Sequence, residues 1–124
     1  MTTLAVAIGG ALGAVMRYVL AVRIYGEFGI SFPWGTLFVN VIGSLMLGLI
    51  LGLVEERDAF SPQMRTAITV GFIGGLTTFS TFVFEYWQFL REGDPAKAIA
   101  YVALSLVLGL TAFTAGHSVA VAAS

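Results

Sequence analysis

The chain has 124 residues, 58% of them hydrophobic and 10% charged, with a formal net charge of −1, no cysteine and a mean hydropathy of +0.94. Soluble domains run near a quarter charged, so these values place the chain among membrane proteins. They exclude disulfides, thiolate metal sites and cysteine nucleophiles, and no basic or acidic block offers a surface to nucleic acid.

At about 20 residues per crossing, the length accommodates one transmembrane domain, residues 1–124, of four helices with short connections. Four thin helices enclose little interior, which points to an oligomer. Met1-Thr2-Thr3 lacks the positive region of a signal peptide, so the first apolar run is read as a retained helix. That first span is predicted over residues 4–22. Gly9 with Gly13, and Gly10 with Ala14, are small pairs four apart, the spacing at which helices approach closely in lipid. Arg17 and Tyr18 lie near its far end. Two readings stand for Arg17: a side chain snorkelling to the interface, or a cation lining a vestibule that attracts anions. The following loop holds Arg23 and Glu27.

The second span is predicted over residues 33–54. It opens at Ser31-Phe32-Pro33-Trp34, where proline suits a first helical turn and tryptophan suits the interface. Ser44, Gly48 and Gly52 form another small-residue stripe. Asn40 is the strongly polar side chain in its middle; it either hydrogen-bonds to a neighbouring helix or donates its amide to a passing anion. Glu55-Glu56-Arg57-Asp58 is the only charge run and is read as a solvated connection. Ser61-Pro62 then reads as an N-cap followed by proline at the first helical position.

The third span is predicted over residues 64–90, about 27 residues against about 20 for one straight crossing. A break at Gly74-Gly75 accounts for the excess, since adjacent glycines lower helix propensity by roughly 1 kcal/mol each. An opened turn exposes carbonyl oxygens, which suit a hard cation such as sodium. The competing reading makes Gly71 and Gly75 one more packing pair. Beyond the glycines, Thr77, Thr78, Ser80 and Thr81 are interleaved with Phe79 and Phe82, which share a face. Paired rings are usually core packing, but their electropositive edges can also line a weakly hydrated path for a small anion, with Ser80 and Thr81 as nearby donors. Glu85 is a functional candidate as an intramembrane carboxylate. It lies only six residues before Arg91, next to Tyr86 and Trp87, so its residues alone read as interfacial and solvated.

Asp94-Pro95 caps a fourth span over residues 96–121. Tyr101 and Ser105 share a face there, with Gly109 continuing the row; Tyr101 offers a phenolic donor inside or anchors at the interface. His117 has no evident partner and reads as an interfacial polar residue, not a ligand or proton switch. With four spans, both termini face one side. Arg57 and Arg65 lie on that side, and Arg23, Arg91 and Lys97, with Arg17 if it reaches the surface, on the other. So small a basic bias leans toward termini outside and permits insertion both ways. Two inverted copies would pair as an antiparallel twofold dimer, with their third-helix breaks crossing at mid-membrane.

Three segments in order carry a resemblance over essentially the whole chain: Gly9-Gly10-Ala11-Leu12-Gly13-Ala14-Val15-Met16-Arg17-Tyr18; Gly35-Thr36-Leu37 with Asn40 and Gly43; and Gly74-Gly75-Leu76-Thr77-Thr78-Phe79-Ser80-Thr81-Phe82. They resemble the CrcB/Fluc fluoride channels. The resemblance implies an all-α membrane protein with four transmembrane helices per subunit, a broken third helix, and an antiparallel dual-topology homodimer with two fluoride pores. It implies a structural Na+ at the dimer centre, held by main-chain carbonyls of Gly74 and Thr77 of each subunit. Phe79 and Phe82 match the pore phenylalanines whose ring edges face fluoride, and Asn40 matches the pore asparagine. Tyr101 and Ser105 match the polar track of the fourth helix, Glu85 a third-helix carboxylate near the pore end, and Arg17 a vestibule arginine. Gly109 departs from the pattern, since some members have Ser there.

The function so implied is passive export of fluoride from the cytoplasm across the plasma or inner membrane, lowering its toxicity. HF enters neutral and dissociates inside, and the anion then needs an exit. No P-loop or nucleophile–base set is present, so the chain reads as no enzyme. The competing function is a small four-helix, dual-topology, proton-coupled secondary transporter. Such exporters need a carboxylate deep in the first helix, and residues 4–22 hold none. A non-transporting scaffold would have no need of Asn40 or of a hydroxyl-rich stretch inside a span.

Overall fold

The structure, a computed structural model, describes residues 1–123. Its architecture is all-helical, and four stretches are long and apolar enough to cross a membrane: Thr2–Phe28, Trp34–Arg57, Pro62–Arg91 and Pro95–Ala122. The first is a single helix, α1 (Thr2–Phe28), and the second is α2 (Trp34–Arg57). The third is composite: α3 (Pro62–Thr66), a π-helical segment (Ala67–Ile73), α4 (Gly74–Leu76) and α5 (Ser80–Arg91). The fourth is α6 (Pro95–Ala122).

The helix starts at Ser61-Pro62 and Asp94-Pro95 are as expected. Ser61 Oγ accepts from the Met64 amide at 3.3 Å and Asp94 Oδ1 from the Lys97 amide at 3.0 Å, each with proline at the first helical position. Two boundaries differ from expectation. α1 continues past residue 22 and carries Arg23, Tyr25 and Glu27 on helix, ending at Gly29 with φ +79°. α2 absorbs Glu55-Glu56-Arg57 and ends at Asp58 in the left-handed region, so the charge run is the end of a helix. Glu and Arg are good helix formers; charge marks where a helix leaves the membrane, not where it stops.

Small residues dictate the packing. α1 lies against the π-helical segment, backbone to backbone: a Cβ on Gly71 would stand 2.8 Å from the Val6 carbonyl oxygen, and one on Gly75 would stand 2.6 Å from that of Gly10. α2 lies along α6 in the same way, with Gly48 facing Phe113 and Gly52 facing Ala120 and His117. Contact partners rise together in number within each pair, so α1 runs parallel to the third span and α2 parallel to α6. This is the close approach that lipid-embedded helices use in place of a hydrophobic drive.

The break in the third span does not fall at the glycines. Gly74 has φ −61° and ψ −36°, and α4 continues to Leu76. The chain becomes extended only at Thr77, with φ −86° and ψ 159°, and α5 resumes at Ser80. Gly71 and Gly75 serve packing against α1, and the break lies just beyond them, where threonine hydroxyls can replace lost backbone partners.

Candidate anion path at the broken third span

The break is splinted from α2. The amide of Thr78, which in a continuous helix would donate to Gly74, donates instead to Asn40 Oδ1 at 2.7 Å. Asn40 Nδ2 donates back to the Thr78 carbonyl at 2.9 Å. The Thr81 amide, which would have served Thr77, donates to Thr78 Oγ1 at 3.2 Å, the local pattern of an N-cap. Gly74 and Thr77 thus lose their helical donors. The Thr77 carbonyl accepts from Arg17 Nη1 at 3.2 Å, so Arg17 turns inward to the break and does not snorkel to the interface.

The splint leaves two cavities. One, a groove of about 310 Å³, is lined by Asn40, Ser44, Thr78, Phe79, Phe82 and Ser105, with Gly109 further along the row. The Phe79 and Phe82 centroids are 5.7 Å apart at 40°, and Phe79 is 76% exposed in the single chain. Ser105 Oγ is buried and, among the described residues, has no hydrogen-bond partner within the chain. The other cavity, about 330 Å³, is lined by Arg17, Tyr25, Thr36, Thr78, Thr81 and Glu85. Ser80 is exposed and borders neither cavity; its Oγ lies 3.5 Å from Thr78 Oγ1.

Glu85 lines the second cavity and gathers all four spans. Its Oε1 accepts from Thr36 Oγ1 of α2 at 2.6 Å and from the Tyr25 hydroxyl of α1 at 3.1 Å. Its Oε2 accepts from the Tyr101 hydroxyl of α6 at 2.6 Å. Tyr101 is fully buried, and its ring is 5.1 Å from that of Phe82. The solvated, interfacial reading of Glu85 is therefore displaced by a networked one, and Tyr101 is an inward donor. An ionised carboxylate is an acceptor only, and three hydroxyl donors supply what water would supply outside the membrane.

Sequence reasoning missed Tyr25 and the role of Thr36. Ending the first span at residue 22 left Tyr25 in a loop. No local sequence signal marks it, because its seat is on another helix: a Cβ on Gly35 would stand 2.8 Å from Tyr25 Cε2. His117 also has a partner, with Nε2 2.8 Å from Glu55 Oε2, which ties the ends of α2 and α6. That pairing was hidden because Glu55 was assigned to a loop. Among the described residues no group of three or more His, Asp or Glu side chains gathers to hold a metal ion.

Comparison with known proteins identifies the family. The family model described as "CrcB-like protein, Camphor Resistance (CrcB)" matches residues 4–117. The chain is 48% identical over 115 residues to a protein of Citrifermentans bemidjiense named "Fluoride-specific ion channel FluC", covering 93% of each. It is 45% identical over 111 residues to the protein of that name from Hahella chejuensis, covering 90% of this chain and 87% of the relative. A Shewanella relative with the same name is 50% identical over 107 residues, 86% of each chain. The chain belongs to the CrcB family.

Proposed function

We propose that the protein is a fluoride-selective passive ion channel that exports fluoride from the cytoplasm, and not an enzyme. The observation that carries this reading is the near-full-length similarity to proteins named fluoride-specific ion channels. The groove beside the break supports it. A small anion leaving water needs donors and electropositive ring edges in place of its hydration shell. Phe79 and Phe82 supply the edges. Asn40 keeps a second amide hydrogen after serving Thr78, and Ser105 offers an unpartnered hydroxyl. Thr81 adds a hydroxyl in the second cavity while Ser80 stands outside both, Tyr101 and Glu85 continue the polar track toward α2, and Arg17 gives its cavity a positive wall. The proton-coupled transporter is the weaker reading: α1 carries no carboxylate before Glu27 in its last turn, and Glu85 is already held by three hydroxyls.

The functional unit in this reading is an antiparallel, dual-topology homodimer in the cell's plasma or inner membrane. Irregular backbone at membrane depth is tolerated only against protein or water. Gly74, Phe79 and Ser80 are nevertheless exposed in the single chain, and a second copy over that face would cover them. A structural Na+ at the centre fits the donor set. The carbonyls of Gly74 and Thr77 have lost their helical donors, and a carbonyl has two lone pairs, so Thr77 can serve Arg17 and a cation together. Bound there, the ion would supply fixed positive charge between the copies.

Protein reconstituted in liposomes tests the function. Fluoride efflux should run down its own gradient without a proton gradient and far faster than chloride efflux. A requirement for a proton gradient would sink the channel reading.

A further inference from the structure

Tyr25 occupies a position that the roles above do not use. Its hydroxyl is 3.1 Å from Glu85 Oε1 and 3.4 Å from Thr36 Oγ1. Its ring is seated over Gly35, so the hydroxyl is held in place by packing. It lines the cavity that holds Arg17. The opposite carboxylate oxygen faces Tyr101, whose ring touches the Phe82 side. Glu85 thus lies in the Arg17 cavity with Oε1 on Tyr25 and Thr36 and Oε2 on Tyr101, and Tyr25 is the phenolic donor that lines the same cavity.

A carboxylate repels an approaching anion unless hydrogen-bond donors stand between them. Of the three hydroxyls on Glu85, that of Tyr25 makes the longest bond, against 2.6 Å for both Thr36 and Tyr101. The longest bond is the weakest and is the one most readily exchanged for another acceptor. Resting on the channel reading, we propose that Tyr25 is a specificity-determining residue of the anion path. It turns its hydroxyl proton from Glu85 Oε1 to fluoride in the Arg17 cavity, while Thr36 and Tyr101 keep the carboxylate in place. No covalent bond changes in this step; one hydrogen bond replaces another. The preference for fluoride follows from its compact charge, which takes a short, strong O–H bond that chloride cannot match.

The test is Tyr25→Phe in the full-length protein in liposomes, with fluoride and chloride efflux measured over a range of ion concentrations. The ring and its seat on Gly35 are kept, so thermal unfolding and the elution volume in detergent should match the wild type. Fluoride efflux at low fluoride should fall about tenfold, as expected for one lost charge-assisted hydrogen bond. Chloride leak should stay unchanged, so the fluoride-to-chloride ratio falls by the same factor. Tyr25→His and Tyr25→Met ask the same question should the Phe variant fold poorly: the donor-bearing His should conduct better than the Met. Equal fluoride efflux in wild type and Tyr25→Phe, or in the His and Met variants, would overturn this role. Wild-type vesicles that release no fluoride would overturn the channel reading instead.

Discussion

Asn40 and Thr78 exchange two hydrogen bonds, at 2.7 and 2.9 Å, and so rebuild across two spans the pairing that the third span gives up. A side-chain amide on α2 does the work of a turn of helix. The extended conformation at Thr77 persists because its neighbour's amide and carbonyl are satisfied from outside, which membrane depth requires. Releasing the Gly74 and Thr77 carbonyls is the consequence.

Asn40→Leu leaves the Thr78 amide and carbonyl without these partners. Membrane hydrogen bonds average only about 0.6 kcal/mol in measured cases, but two backbone groups are stranded together, and each unsatisfied buried group costs about 1–3 kcal/mol. The variant should lose about 2–6 kcal/mol in unfolding from detergent, and fluoride efflux should drop at least about tenfold. An unchanged unfolding curve would mean that water takes over at Thr78.

Phe79→Ile and Phe82→Ile keep bulk and remove the electropositive ring edge. Each should slow fluoride efflux by about tenfold or more, the equivalent of roughly 1.4 kcal/mol of barrier, while the protein elutes as the wild type does. Phe82 should be the more costly structurally, because its ring also packs on Tyr101 at 5.1 Å, whereas Phe79 is largely exposed in the single chain. Wild-type flux in both variants would remove the ring edges from the path.

Replacing sodium with a bulky organic cation during purification and assay should loosen the association of two copies if Gly74 and Thr77 carbonyls share an ion. The readout is oligomeric state at falling protein concentration. Stabilisation by a bound ion follows its free concentration, so each tenfold rise in sodium above its Kd should add about 1.4 kcal/mol until other limits are met. Dissociation that ignores sodium would leave those carbonyls without that role.

Elements whose cause is local were legible in the sequence. Ser61-Pro62 and Asp94-Pro95 begin helices by capping chemistry, and the glycine spacings of α1 and α2 announce close packing. The break lies at Thr77 and not at Gly74-Gly75, because low propensity does not itself open a helix. What opens it is the set of substitute partners on Asn40 and Thr78, and a partner on another span leaves no local signature. Glu85 was obscured for the same reason: its proximity to Arg91 suggests an interface, whereas its surroundings come from Tyr25, Thr36 and Tyr101, each on a different helix.

Two glycines separate packing from propensity. At Gly75 an added Cβ would meet the Gly10 carbonyl oxygen at 2.6 Å and the Gly10 Cα at 3.1 Å, both backbone atoms that cannot rotate aside. At Gly26, also on helix, nothing stands within 4 Å. Gly75→Ala must therefore push α1 from the third span and should cost about 1–3 kcal/mol. The displacement also moves Arg17, about two turns beyond Gly10 on the same face of α1, from the Thr77 carbonyl, so fluoride efflux should fall with stability. Gly26→Ala should instead stabilise by about 0.5–1 kcal/mol, from lower backbone entropy in the unfolded chain. Unfolding curves of the two variants, read side by side in one detergent, decide the matter. Equal effects would show that helix propensity, and not the α1 contact, sets the glycine content of this fold.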